Sequence, residues 1–266
     1  LEWEEEVPVA NTEGVFAEEK RVRTRLFVLA VAQDGAEVQT GYSAPGKSVG
    51  LELFDLYPPK AVGEKAARQA LTNLKARPAP AGTFPVVVGP GFGGVLFHEA
   101  VGHLLETTSV ARKASVLADK LGEVVASPAV TYIDDGTLPH AWGSTEMDDE
   151  GRPTERTVLI EKGVLKSYMV DRLGHLLTGY PMTGSGRRQD YTFAPTSRMR
   201  NTFLAPGAAR VEDLFAGIAF GLYAKEMGGG QVKPGSGEYN FAVQEGYIIR
   251  KGRIEEPVRG AMLVGK

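Results

Sequence analysis

The chain has 266 residues, 42% of them hydrophobic and 24% charged, with a net charge of -3. That balance belongs to folded globular proteins, excludes disordered and fibrous classes, and gives no electrostatic ground for nucleic acid as the main partner. The absence of cysteine rules out a disulfide and any thiolate metal ligand from these residues. No stretch reaches the ~18 uncharged apolar residues of a membrane helix. The acidic start, LEWEEEVPVA, lacks an initiator methionine and an apolar signal core, so the expectation is a cytoplasmic protein whose first residues are cut from something longer.

Along the chain, KRVRTRLFVLAVA (20–32) alternates charged and apolar groups and predicts a strand, with a hairpin turn at Asp34-Gly35 and EVQTGYS as its return. From Pro58 to Arg77, Val62, Ala66, Ala70, Leu71 and Leu74 recur at helical spacing, and Pro78 and Pro80 end the helix. The RPAPAG segment that follows is the expected boundary between two parts, 1–80 and 81–266. FPVVV reads as a buried strand leading through GPGFGG into a helix that should continue to Leu105. Ser109 to Leu121 reads as a second helix, VTYID as a strand, and Val211 to Met227 as a third helix with an apolar face. VLIEKGVLKSYMV and YIIRKGRIEEPV predict two hairpins with Lys-Gly at the turn. Strand pairs mixed with separate helices imply an α+β fold around a large mixed or antiparallel β-sheet with flanking helices.

Residues 97–106, FHEAVGHLLE, place His98 and His103 five positions apart around Glu99. A regular helix turns about 100° per residue, so both imidazoles cannot address one ion unless the helix is locally altered. A π-type widening would bring them together, and Gly102 is a weak point where it could form. A pair of structural histidines on a buried helix is the plainer alternative. Glu106, three residues beyond His103, suits a carboxylate that orients the histidine or a direct ligand. His140, His175, Asp134, Asp135 and Glu238 are the other chemically competent donors.

Three further stretches have both a functional and an ordinary reading. DDG and DDEG lack the alternating ligand spacing of a calcium loop and read as turns. Arg187, Arg188, Arg198 and Arg200 could hold a peptide carboxylate or an acidic side chain, or could be solvated and paired. Gly228, Gly229 and Gly230 offer bare backbone to which an extended peptide could pair, or they cap the helix expected before them.

The run GPGFGGVLFHEAVGHLLE resembles the TldD/PmbA proteins, zinc peptidases once described as modulators of DNA gyrase. NTEG, PVVVGP, DDGTLP, DDEGRPTERTVLIEKGVL, TGSGRRQ, RMRNT, GGGQV and PVRGAMLVG follow in the family's order, so the resemblance runs from about residue 11 to the end. The intact H-E-x-x-x-H element is similar to that of the TldD branch. The resemblance implies zinc held by His98 and His103, Glu99 as the catalytic carboxylate, and a third ligand, a cysteine, in a segment outside this chain. It implies further that 1–80 is the remainder of an amino-terminal α/β lobe and 81–266 the catalytic lobe. The implied activity is peptide-bond hydrolysis in small or unfolded polypeptides, weakened or absent in a trimmed chain that need not retain zinc. The implied partner is a second copy or a PmbA-type subunit, with no membrane involved. A non-catalytic peptide-binding or regulatory subunit is the rival expectation.

Overall fold

The computed structural model describes residues 1–233 and 236–266. The first strands, β1 (Glu2–Ala10) and β2 (Phe16–Arg25), are antiparallel, and β5 (Gly46–Lys47) joins them in a three-stranded sheet. Between them in sequence, β3 (Val28–Asp34) and β4 (Glu37–Ser43) form a separate hairpin. The strand expected over 20–32 is therefore two strands, divided at Leu26 and Phe27, and the turn lies at Gly35-Ala36, one residue later than expected. A short helix, α1 (Leu53–Leu56), precedes α2 (Pro59–Lys75), whose first residue is a proline with no intrahelical N–H to lose.

Helix α2 packs on the β3–β4 hairpin through Val62, Ala66 and Ala70, while Leu71, expected on that face, is exposed. Two buried amides fix its position. Gln69 accepts a hydrogen bond from Tyr42 N–H, and Asn73 donates to the carbonyls of Thr40 and Gln244. The second of these carbonyls belongs to the large sheet, so α2 joins the two parts by side-chain hydrogen bonds as well as by packing.

Strand β6 (Arg77–Pro78) and β7 (Val86–Val88) are followed by a 3-10 turn at Gly91–Gly94 and by α3 (Val95–Ala100). A second 3-10 turn, Gly102–Leu105, leads into α4 (Thr107–Val110). The helix expected from Ser109 to Leu121 is absent: Lys113 and Asp119 have φ of 53° and 60°, in the left-handed region that ends a right-handed helix. Then come β8 (Tyr132–Asp135), β9 (Arg156–Glu161), β10 (Val164–Leu165), α5 (Arg172–Thr178), β11 (Gly186–Arg187), β12 (Thr196–Ser197) and β13 (Thr202–Leu204). Strands β10, β9, β8 and β13 form one sheet in that order, and β11 pairs with β12.

The long strands β14 (Phe220–Lys233) and β15 (Glu238–Arg250), with β16 (Arg253–Arg259) and β17 (Met262–Gly265), complete a six-stranded sheet in the order β6-β16-β15-β14-β7, with β17 on β15. The helix expected from Val211 to Met227 is thus corrected to a 3-10 turn at Val211–Leu214 followed by a strand. Glycine explains the difference. Gly217 has φ of 82°, in the left-handed region, and Gly221 costs about 1 kcal/mol in a helix. Leu222, Ala224 and Met227 instead meet the sheet's core, while Val211 and Leu214 stay exposed. Both Lys-Gly hairpins form as expected: Lys162-Gly163 and Lys251-Gly252 all have positive φ, the geometry of a two-residue turn between twisted strands.

Two apolar cores result. One gathers Leu105, Tyr132, Leu159, Leu165, Met169 and Met199, the other Leu222, Met227, Phe241, Ile248 and Val258. Helix α3 is wedged between them, giving Val95 and Leu96 to the second core and Phe97 to the first. No helix among the described residues is long and apolar enough to cross a membrane.

Candidate metal centre

Wedging fixes α3 but does not by itself bring His103 to His98. The chain breaks at Val101, with φ of -126° and ψ of -47°, and re-enters as the tight turn Gly102–Leu105. The expected π-type widening is corrected: a helix break followed by a 3-10 turn does the same work with no extra residue in the turn. Gly102 is required for contact rather than flexibility, since a Cβ there would collide with the Met199 sulfur and crowd the Tyr132 hydroxyl. The Tyr132 hydroxyl in turn donates to the Phe97 carbonyl at 3.3 Å and ties the end of α3 to β8.

The imidazoles of His98 and His103 consequently meet edge to face, their centroids 5.0 Å apart. Donor atoms of His98, Glu99 and His103 all lie within 4.8 Å of one another, and this is the group among the described residues with the spacing to hold a metal ion. Glu99 Oε2 is 3.5 Å from His103 Nε2. On the far side of the same ring, His103 Nδ1 is 3.1 Å from Glu106 Oε1. A proton on Nδ1, donated to Glu106, leaves the Nε2 lone pair facing the cluster.

Glu106 is itself held firmly. Its carboxylate is buried, its Oε2 lies 3.7 Å from the Arg198 guanidinium, and flanking backbone bonds join Met169 N–H to the Leu105 carbonyl and Thr107 N–H to the Met169 carbonyl. Thr202 Oγ1 stands 3.4 Å from His98 Nδ1. Burial, followed by the positive charges of His103, Arg198 and Arg187, pushes the His98 imidazole down to about 4. His98 is therefore neutral at pH 7, the form in which imidazole binds a metal. Two imidazoles with a carboxylate beside them, one ring backed by a second carboxylate, match the N and O donors that zinc takes.

The other candidate donors are placed elsewhere. His175 Nδ1 meets the Tyr180 carbonyl at 2.7 Å, and His140 is an exposed turn residue with φ of 58°. Asp134 accepts from Arg200 N–H at 2.8 Å, and burial pushes its carboxyl up to about 7. Asp135 accepts from Thr137 and Asp148 from the Glu150 and Arg152 amides, so both acidic stretches are turn-forming as expected.

His98 opens into a cavity of about 1120 Å³. Strand β1 and Arg21 and Arg23 of β2 form one wall, and the β11–β12 hairpin with Arg187, Arg188 and Arg198 forms another. Sequence spacing joined the four arginines but missed Thr202 and Trp3, which reach the site or its cavity through sheet pairing, and Trp142, which reaches it from a turn distant in sequence. Gly228, Gly229 and Gly230 do not line this cavity. They lie in β14 at a register shift between Met227 and Gly230, which removes the helix-cap reading. Beyond Ala224 the outer edge of β14 carries no strand partner among the described residues.

Comparison with known proteins identifies the family. The PmbA/TldA metallopeptidase C-terminal domain matches residues 81–266, and the central domain of the same family matches residues 1–74. The chain belongs to the PmbA/TldD metallopeptidase family. It is 42% identical over 269 residues to the "Metalloprotease TldD homolog" of Haemophilus influenzae, covering 98% of this chain and 55% of that protein. With the "Zinc metalloprotease TldD homolog" of Saccharolobus solfataricus it shares 32% identity over 90% of this chain and 54% of that one. The chain thus spans about half the length of the curated relatives it matches. Its fold is that of TldE from Thermococcus kodakarensis, with a TM-score of 0.79 at 21% identity, over 96% of this chain and 57% of that one.

Proposed function

We propose that the chain carries the catalytic part of a zinc metallopeptidase that hydrolyses peptide bonds in small or unfolded polypeptides. The observation that supports this reading is the convergence of His98, Glu99 and His103 donor atoms within 4.8 Å, with Glu106 behind His103. His98 and His103 are the protein's zinc ligands, and the third, as the resemblance implies, is a cysteine outside this chain. Bound there, zinc supplies a Lewis acid that lowers the pKa of a water and polarises a carbonyl. Glu99 accepts the proton that the attacking water loses and passes it to the leaving amine, so the carboxylate ends the cycle as it began. Glu106 and Thr202 hold the two rings in the orientation and tautomer that this requires.

An extended substrate fits the walls of the cavity. Strand β1 is an edge strand whose outer side faces the cavity, and a peptide without its own structure can pair with such an edge. The unpartnered stretch of β14 past Ala224 is a second open edge, outside this cavity. The partner implied by the resemblance, a second copy or a PmbA-type subunit, belongs to the same proposal.

The test uses the full-length protein. One zinc per chain is expected by elemental analysis, lost in His98→Ala, and Glu99→Gln is expected to keep the zinc while hydrolysis of an unfolded polypeptide falls by roughly 10²–10⁴-fold. Full hydrolysis by Glu99→Gln would remove the catalytic assignment and leave the non-catalytic peptide-binding subunit as the reading.

A further inference from the structure

The cavity beside His98 has a chemical character that metal binding does not demand. Six arginines line it against four carboxylates. Most of these arginines are already engaged. Arg21 is buried between Asp149 at 2.6 Å and Glu19 at 2.9 Å. Arg23 lies over the rings of Trp3 and Trp142 and donates to the Trp142 carbonyl. Arg188 donates to the Asp149 carbonyl, and Arg200 to the Gly184 and Gly186 carbonyls.

Two guanidinium groups remain open to a ligand. Arg187 has no ion-pair partner among the described residues and makes one long contact, 3.5 Å, to the Met199 carbonyl. Arg198 approaches Glu106 at 3.7 Å, too far for a hydrogen bond to satisfy its head group. The β11–β12 register pairs Arg187 with Thr196, and the alternation of strand side chains puts Arg198 on the same face one step diagonally away. Both line the cavity that contains His98. Arg187 is accessible to solvent by surface area although the protein around it, with Arg198 and Arg200, lowers its pKa; the accessible surface is what a ligand would meet. Like charges gathered beside a metal centre are disfavoured until an anion joins them. The planar fork of arginine matches a carboxylate with two parallel hydrogen bonds.

We infer that Arg187 and Arg198 form a carboxylate subsite beside the metal centre, so that the favoured scissile bond lies close to an acidic side chain or to the substrate's own carboxyl end. This rests on the peptidase reading and names the substrate class that the site selects. No other residue in the cavity wall need change role, because the remaining arginines keep their protein partners.

Binding is measured on the full-length zinc-loaded protein carrying Glu99→Gln, so that no peptide is consumed. The probes are fluorescein-labelled hexa-alanine peptides: one with glutamate at the fourth position and an amidated end, its glutamine counterpart, and plain hexa-alanine as free acid and as amide. A charge-assisted hydrogen-bond pair predicts that a carboxylate-bearing probe binds about ten- to a hundredfold tighter than its neutral partner. Arg187→Gln should abolish that ratio while leaving the neutral peptides unchanged, and Arg187→Lys should restore part of it. A preference confined to the free acid assigns the subsite to the substrate terminus, and one confined to glutamate assigns it to a side chain; either supports the inference. Equal binding of charged and neutral probes, or equal weakening of both by Arg187→Gln, overturns it. The comparison among peptides needs no variant beyond Glu99→Gln, so misfolding of an arginine variant leaves the test intact. Hydrolysis by the protein with Glu99 separates the two ideas: equal cleavage of all probes sinks the subsite alone, and carboxylate-selective binding with no cleavage sinks the peptidase alone.

Discussion

The six-stranded sheet and the region around the β11–β12 hairpin are stabilised by different forces. In the sheet, Leu222, Met227, Phe241, Ile248 and Val258 form a dry apolar core. Around the hairpin, Asp148 and Asp149 accept the Gly186 and Arg188 amides, Arg21 donates to Asp149 and to the Met147 carbonyl, and Arg200 braces Gly184 and Gly186. Apolar packing loses stability in proportion to what is removed, whereas a buried charge lattice fails abruptly, because each lost partner strands another charge. Helix α3, which carries His98 and Glu99, is thus supported by packing, while the arginine wall is supported by ions and directional bonds.

That contrast can be broken in graded steps. Asp149→Ala should cost the most, about 3–5 kcal/mol, because it leaves the buried Arg21 guanidinium short of its nearest partner; chemical denaturation measures it, and a loss below about 1 kcal/mol would mean the lattice carries little of the stability. Asp134→Asn should act through pH. The folded protein keeps the Asp134 proton up to about 7, whereas the unfolded chain releases it near 3.8, so the native state binds more protons between those values and its stability falls as pH rises through them. The substitution should flatten that fall, worth a few kcal/mol, in melting curves from pH 4 to pH 8. Next, Glu106→Gln should weaken zinc affinity about 10–100-fold by loosening the His103 ring, with the ion still bound at saturation in a competitive chelator titration. The smallest effect belongs to the apolar side: Ile248→Val should cost about 1 kcal/mol, and a larger loss would remove the contrast.

What the sequence revealed follows the range of the forces involved. Turn chemistry is local, so Lys162-Gly163 and Lys251-Gly252 were legible, as was α2, bounded by Pro59 and Pro78 and faced by Val62, Ala66 and Ala70. The spacing of His98 and His103 around Glu99 marked a candidate pair, but on a regular helix it sets the rings apart, and what brings them together was not legible. The break at Val101 depends on Gly102 meeting Met199 and Tyr132, residues distant in sequence. Strand β14 was misread because Val211, Leu214 and Ile218 imitate a helical face, and only pairing with β7 and β15 decides between strand and helix. The cavity wall was half legible: the arginines were visible as a cluster, but their division into engaged and open groups comes from the β11–β12 register and the buried aspartates.

One pairing has a consequence in time rather than in space. Strand β7, which launches the chain into α3, is hydrogen-bonded in parallel to β14, with Val86 beside Leu222, 136 positions further along. Closing so long a loop is entropically slow, and contacts of this range form late relative to hairpins such as β14–β15. The histidine pair is thus anchored near the start of the larger family domain but waits for its far end before it is held in place. During refolding, convergence of the His98, Glu99 and His103 donors is expected to trail formation of the β14–β15 hairpin, so the candidate site would come together only after the chain around it has closed.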